Sequence, residues 1–201
     1  MEKAQNAPAP FTTYSLFYKG EFLINEIFSE KKYERILTER VCKEALIMEF
    51  KLALLAVKDV EVSKKFYKEL FGQEVILDLG KNVTFSGGFA IQEDFAWLTD
   101  LPSNSVMQKS HNMELYFEVD DFEAFIEKLN AYENVQYVCK PMKHEWQQRV
   151  VRIYDRDFHI IEIGESMTVI ARRYLAKGIS VEETAKIIQH PVEFVESAKE
   201  I

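Results

Sequence analysis

The residues of this chain best suited to chemistry are carboxylates within predicted β-strands. In the run MELYFEV, Glu114 and Glu118 alternate with apolar residues, and Glu162 stands inside HIIEIG. Because successive side chains of a strand point to opposite faces, Glu114, Tyr116 and Glu118 share one face. A carboxylate on a sheet face otherwise lined by apolar residues needs water, a positive partner or a metal to stay ionised. The sequence therefore indicates a polar site on one face of a sheet.

Several other chemistries have no sequence motif here. The chain lacks the P-loop pattern GxxxxGK[ST], the dinucleotide pattern GxGxxG, and the patterns GxSxG, CxxC and HExxH. Its formal charge of −8, from 33 acidic and 25 basic residues, opposes binding to phosphate backbones. We therefore expect no nucleic-acid partner.

The start of the chain has no apolar signal core, since Met1 is followed by Glu2 and Lys3. The longest apolar run, Leu52 to Val57, is far shorter than the roughly 18 residues of a membrane span. Cys42 and Cys139 lie far apart, without disulfide or metal spacing. These features predict a cytoplasmic protein with no membrane partner.

A length of 201 residues with 47% apolar content predicts one full domain with attachments. The pattern divides into an accessory hairpin and helix (1–47), a central domain (48–167) and a helical tail (168–201). In the first section, the stretch Asn6 to Pro10 indicates an extended linker. The run from Tyr14 to Phe28 predicts a hairpin, and a helix is predicted to follow from Ser29.

The central section contains a weak internal repeat. LLAVKDVEVSKKFYKEL and LYFEVDDFEAFIEKLNAY both predict a buried strand, a capping aspartate (Asp59 and Asp121) and an amphipathic helix. Three strand-like runs follow each helix. The sequence therefore predicts an α+β fold made of two βαβββ units.

These segments resemble the glyoxalase, bleomycin-resistance and extradiol-dioxygenase superfamily, also called vicinal oxygen chelate proteins. The resemblance rests on LLAVKDVEVSKKFYKELFGQEV, MELYFEVDDFEAFIEKL and RVVRIYDRDFHIIEIGE. It implies a curved mixed sheet around a concave pocket that binds small molecules, frequently through a divalent metal, and it implies a possible homodimer. The first section resembles the tail of YoaP-type acetyltransferase-like proteins in the residues NAPAPFTTYSLFYKGEF and SEKKYE. The alternative is a hairpin and helix that only pack against the main domain.

The resemblance places the family's metal positions on Leu52, Gln92, Glu114 and Glu162. Leu52 cannot ligate a metal, and the two histidines and one carboxylate of the extradiol dioxygenases are absent. Gln92, Glu114 and Glu162 form an all-oxygen set that favours magnesium, calcium or manganese over zinc. The alternative is that these carboxylates bond Arg149, Tyr116 or water and that no metal cofactor is used.

The resemblance also assigns three other features. Arg149 matches the arginine before the closing hairpin, where it would bind an anionic ligand or neutralise Glu114 or Glu162. Trp146 falls in the loop that overhangs the pocket. The family's closing DPDG turn is replaced by Asp155 to Phe158, and Gln147 stands where many members have glycine.

The tail predicts three short helices. It resembles helical tails that accompany some proteins of this superfamily. Its acidic and basic residues nearly balance, whereas DNA binding needs a basic face. We therefore expect the tail to dock on the chain's own domain or on a second subunit.

Three functions fit these observations. The first is a small-molecule-binding protein whose pocket is lined by Gln92, Glu114, Tyr116, Arg149 and Glu162. The second is a metal-dependent lyase or isomerase of glyoxalase type, with Glu114 and Glu162 as ligands and one of them as proton shuttle. The third is an interaction module built on the hairpin and the tail, with a vestigial pocket.

Overall fold

The computed structural model describes residues 16–18, 21–24, 31, 34–35 and 48–199, which fall into two units, Met1–Phe50 and Lys51–Ile201. In the first unit, β1 (Leu16–Tyr18) pairs antiparallel with β2 (Glu21–Ile24), which confirms the strands of the predicted hairpin. Residues 31, 34 and 35 are helical. The predicted linker from Asn6 to Pro10, the hairpin turn and most of the predicted helix lie outside the described residues.

The predicted repeat is present in the second unit. The first half comprises β3 (Ala53–Val57), α1 (Val60–Phe71), β4 (Val75–Asp78), β5 (Asn82–Phe85) and β6 (Phe89–Glu93), followed by the short helix α2 (Phe95–Leu98). The second half comprises β7 (Glu114–Val119), α3 (Phe122–Ala131), β8 (Gln136–Lys143), β9 (Arg149–Tyr154) and β10 (Ile160–Glu165). Each half is a four-stranded mixed sheet, in the orders β3-β6-β5-β4 and β7-β10-β9-β8.

The equivalent aspartates of the repeat start the two long helices. The Asp59 carboxylate accepts the backbone N–H of Val62 at 3.0 Å, and the Asp121 carboxylate accepts that of Ala124 at 3.0 Å. Each bond satisfies one of the N–H groups that have no partner within the helix. The chain therefore passes from strand to helix in the same way in both halves.

The helix-facing sides of the two sheets share one apolar core. Phe71 of α1 stacks on Phe117 of β7 with ring centroids 4.8 Å apart, and Phe66 packs edge-on against Tyr132 at 6.0 Å. The buried members include Tyr67, Ile91, Leu129, Ile153 and Ile161. Since the core takes the odd-numbered residues of β7, β9 and β10, the even-numbered residues lie on the opposite face.

The tail forms three helices, α4 (Met167–Leu175), α5 (Val181–Ile188) and α6 (Val192–Ser197). Ile170, Ile188 and Val195 are buried in a second apolar cluster, and Trp146 of the main domain packs against it. The tail thus docks on its own domain, as the first of the two predicted alternatives. No helix in the described part of the chain is long and apolar enough to cross a membrane.

Two residues that stand where the family has glycine, Gln147 and Phe158, adopt a left-handed backbone conformation. Gln147 has φ +72° and Phe158 has φ +70°. This conformation costs a residue with a Cβ about 1–2 kcal/mol. The turns therefore keep the backbone that glycine would adopt, without the glycine.

Candidate functional site

A cluster of polar and charged residues lies on the face of the second-half sheet that points away from the core. Glu162 on β10 is in register with Tyr116 on β7 and with Arg152 on β9. Glu114, at the start of β7, shares this face. We call these four residues, Glu114, Tyr116, Arg152 and Glu162, the carboxylate face.

Arg152 bridges the two carboxylates. Its guanidinium forms an ion pair with Glu162, and its Nε donates to Oε2 of Glu114 at 3.4 Å. The side chain of Glu162 is 9% exposed, whereas that of Glu114 is 41% exposed. The two predicted carboxylates are therefore brought together, and an internal cation lies between them.

Burial controls the charge of Glu162. Removal from water raises the pKa of Glu162, the Arg152 guanidinium opposes this rise, and the Glu114 charge adds to it, so that the pKa lies above its ordinary value. Glu162 therefore holds its proton more readily than an exposed glutamate does.

Tyr116 is held by a hydrogen-bond chain. Its hydroxyl donates to Oε1 of Glu118 at 2.8 Å and accepts from Nε2 of Gln148 at 2.7 Å. Burial and the Glu118 carboxylate raise the pKa of Tyr116. Gly164 makes room for this chain, because a Cβ there would lie 2.6 Å from Nε2 of Gln148. Tyr116 therefore remains a neutral donor at its fixed position.

Arg149 does not reach this face. It shares the parity of Val151 and Ile153, which are buried in the core. Its Nε and Nη2 donate to Glu165 at 3.0 and 2.9 Å, and it also forms an ion pair with Glu123. This corrects the placement expected from the sequence: the cation beside Glu114 and Glu162 is Arg152.

The first-half positions do not add ligands. Gln92 is buried in the other sheet, and its Oε1 accepts from Nδ2 of Asn82 at 2.8 Å. Leu52 precedes β3 and carries no donor atom.

Trp146 contacts residues of its own loop and of the tail. Its ring stacks on His144 with centroids 4.0 Å apart, and its Nε1 donates to Oε1 of Gln148 at 3.0 Å. Since the ring also packs against the tail cluster, Trp146 links the loop to the tail. His144 has a buried Nε2 without a hydrogen-bond partner in the described structure.

These residues do not fit a divalent metal as they stand. Arg152 already neutralises Glu114 and Glu162, the side-chain oxygen of Gln92 is taken by Asn82, and Leu52 cannot coordinate. Among residues 48–199 and the shorter described stretches, no group of three or more His, Cys, Asp or Glu side chains could hold a metal ion. A metal would have to displace the arginine.

Two residues of the site, Arg152 and Gln148, were not predicted from the sequence. Arg152 is identified by the strand register: in the antiparallel pairing of β9 with β10, Arg152 lies opposite Glu162, and alternation within RVVRIY alone does not show this. Gln148 gave no signal, because its role depends on a contact with a strand 32 residues away.

Two βαβββ units with a polar cluster on the sheet face away from the helices define the glyoxalase, bleomycin-resistance and dioxygenase class of folds. The sequence model described as "Glyoxalase-like domain" matches residues 50–168, more than half of the chain. The chain belongs to the glyoxalase-like domain family. A second model, "YoaP-like", matches residues 1–35.

Solved structures show the same fold. A protein of unknown function from Agrobacterium tumefaciens is 34% identical, with a TM-score of 0.53, over 61% of this chain and 97% of that chain. A glyoxalase/bleomycin resistance protein/dioxygenase family enzyme from Burkholderia phytofirmans is 14% identical, with a TM-score of 0.52, over 59% and 98%. A hypothetical protein from S. aureus is 18% identical, with a TM-score of 0.52, over 63% and 99%. A search of curated proteins found no match.

Proposed function

We propose that this chain is a small-molecule-binding protein that holds its ligand on the carboxylate face. The observation that carries the proposal is the position of the ion pair between Arg152 and Glu162. It lies on a sheet face beside Tyr116, which is fixed by hydrogen bonds and is 48% exposed. Fixed polar groups beside exposed aromatic surface are the usual means of orienting a small ligand.

The charges of this face favour a neutral or cationic ligand. The face has two carboxylates, Glu114 and Glu162, and one guanidinium, that of Arg152. A third carboxylate, Glu118, lies beside it and accepts the Tyr116 hydroxyl. An anion would meet repulsion from the carboxylates, whereas an amine or hydroxyl group would find acceptors. Arg152 then acts mainly to hold the two glutamates in place.

The alternative function is a metal-dependent lyase or isomerase with Glu114 and Glu162 as ligands. Calorimetry with magnesium, manganese, nickel and zinc tests it directly. Stoichiometric binding of one of these ions would favour the alternative. A lack of binding, together with the ligand result below, would favour the binding protein.

The test of the proposed function is ligand mapping by NMR. Neutral, cationic and anionic ring compounds are added to the full chain, and we expect neutral or cationic hits to shift resonances of β7 and β10. Glu114→Gln should weaken a cationic hit by about threefold or more. The matched control is Glu127→Gln, on the exposed side of α3. Hits that leave both strands unshifted, or cationic hits that bind the two variants equally, contradict the proposal.

The exposed apolar residues of β4 support the expected homodimer. Within this strand Ile76 is 66% exposed and Leu77 is 50% exposed, and β4 is an edge strand of the first-half sheet. An exposed apolar edge favours association, and we propose that a second copy of this chain covers it. Sedimentation should show a dimer that Ile76→Lys dissociates and that Val62→Lys, on α1, leaves intact. A monomeric native chain would contradict this proposal.

A further inference from the structure

A cavity of about 740 Å³ lies away from the carboxylate face. Its walls come from the ends of β3 and β6, from the connecting segment 94–110 and from the turn between β9 and β10. It contains none of Glu114, Tyr116, Arg152 or Glu162. The volume is in the range of small-molecule sites.

One wall of the cavity carries a histidine in a fixed orientation. Nδ1 of His159 lies 2.8 Å from Oδ2 of Asp155, and that carboxylate also accepts the Tyr67 hydroxyl at 2.8 Å. The other Asp155 oxygen accepts the backbone N–H groups of Asp157 and His159 at 2.9 and 2.8 Å. Because Asp155 is buried and fully bonded, it fixes the imidazole with its proton on Nδ1. In the part of the chain that the structure describes, Nε2 has no hydrogen-bond partner.

The acidic residues of the cavity are engaged by the protein itself. Asp157 accepts the backbone N–H of Lys58 at 3.1 Å and the Ser63 hydroxyl at 3.5 Å. Glu93 accepts the backbone N–H of Val60 at 3.4 Å, at the first turn of α1. Asp94, at the start of the connecting segment, forms an ion pair with Lys81. The positive end of α1 and these donors offset the three carboxylates.

The basic and apolar groups of the cavity are left available to a ligand. Lys58 lines the cavity, and no ion pair of its Nζ is found among the described residues. Trp97 and Met107 also line it, and each is 76% exposed. A carboxylate attached to a ring fits this arrangement. The carboxylate can bind Lys58 and His159, and the ring can pack on Trp97 and Met107.

We propose that this cavity is a second small-molecule site that binds a planar apolar compound carrying one carboxylate. The carboxylate accepts from Nε2 of His159 and from Nζ of Lys58, and the ring packs on Trp97 and Met107. The site is separate from the carboxylate face, and it favours a ligand of the opposite charge.

Protonation of His159 should strengthen this binding. Burial lowers the pKa of His159, but the hydrogen bond and charge of Asp155 and the charge of Asp157 outweigh burial, so the pKa lies above its ordinary value. The other charged groups that line the cavity are Lys58, Glu93 and Asp94. Since only the protonated imidazole donates from Nε2 while Nδ1 bonds Asp155, affinity for a carboxylate should fall as the pH rises through the pKa of His159.

The test uses three probes with the same ring: benzoate, benzamide and benzylamine. NMR titration of the full chain at millimolar probe concentration should show that benzoate binds most tightly and shifts residues around His159 and Trp97. His159→Gln should weaken benzoate binding by about tenfold or more, since it removes a charge-assisted hydrogen bond. The matched control is His190→Gln in the tail, which should bind benzoate as the native chain does.

A second variant keeps the proposal falsifiable if His159→Gln disturbs the turn. Trp97→Ala removes an exposed side chain and should weaken benzoate binding by about threefold or more without lowering thermal stability. The proposal is overturned if benzoate gives no shifts around the cavity, if benzylamine binds there more tightly than benzoate, or if a folded Trp97→Ala chain binds benzoate unchanged. None of these outcomes bears on the carboxylate face, which is read from β7 and β10.

Discussion

The Arg152→Ala variant tests whether Arg152 occupies, as an internal cation, the place that a metal ion would take between Glu114 and Glu162. The change leaves Glu162, only 9% exposed, without its cation, and breaking a buried pair in this way costs roughly 3–5 kcal/mol. Glu114 is 41% exposed and adds less than about 1 kcal/mol. For a chain of this length each kcal/mol lowers Tm by about 2–4 °C, so the loss at pH 8 should be about 6–20 °C.

The loss should depend on pH in a defined direction. The folded-state pKa of Glu162 already lies above its ordinary value, and removal of Arg152 raises it further. A carboxylate with a raised pKa does not destabilise the fold below its unfolded-state pKa, and it destabilises increasingly as the pH rises through the folded value. Thermal melts of the variant and the native chain should therefore converge near pH 5 and separate toward pH 8.

The same variant should gain a weak metal site. Without the guanidinium, two carboxylates share one face and can accept a hard cation, with a Kd on the order of 0.1–1 mM. Manganese should then raise the Tm of Arg152→Ala and leave that of the native chain unchanged, and Glu162→Gln added to Arg152→Ala should abolish the gain. The reasoning is refuted if the native chain binds manganese as tightly as Arg152→Ala does, or if the Tm of Arg152→Ala falls by the same amount at pH 5 and pH 8.

Three further predictions concern the support of the site. Glu165→Gln should cost about 3 kcal/mol in chemical unfolding, because two arginines lose a shared buried carboxylate, whereas Glu123→Gln at the exposed end should cost less than about 1 kcal/mol. Gly164→Ala should cost about 1–3 kcal/mol in the same assay, because its Cβ meets Gln148 at 2.6 Å. Gln147→Gly should instead raise Tm, because glycine adopts this left-handed backbone without strain and the free energy of unfolding should increase by up to about 1 kcal/mol.

The repeat could be predicted because its signals are local. Asp59 and Asp121 each bond an N–H three residues ahead, and the strands before them alternate with period two. Neither signal depends on the rest of the fold. A strand and a capped helix could therefore be predicted in both halves. The three later strands of each half were predicted from strand-like runs, and their assembly into a curved sheet followed from the resemblance to the family.

The sequence alone did not show which side chains of β9 face the site. Val150, Val151 and Ile153 are all fully buried, so burial alone gives this strand no polar side. The arginine that belongs to the site is identified only by the pairing of Arg152 with Glu162 across the hairpin. This strand register depends on the length and shape of the turn between β9 and β10, and that turn lacks the family's proline and glycine. The resemblance favoured Arg149, and the register corrected it.

The cavity at His159 was also beyond sequence reasoning. Its walls come from segments around residues 58, 95–110 and 157–159, which only the packing of the two halves brings together. One local signal was available: Asp155 and His159 are four residues apart in DRDFH, and a tight turn lets their side chains meet. No pattern in the sequence indicates the apolar wall opposite them.

Strands β9 and β10 use one type of ion pair for two different purposes. On the core side, Arg149 bonds Glu165, which also binds Arg173 of the tail, so this pair fastens the tail helices to the sheet. On the other side, Arg152 pairs with Glu162 and with the more exposed Glu114, where a ligand can reach. Since the two arginines lie three residues apart on opposite faces, Arg149→Gln and Arg152→Gln alter the same charge in the same strand. We expect both to lower stability, but only Arg152→Gln to change what binds at β7 and β10, because only that guanidinium touches the proposed site.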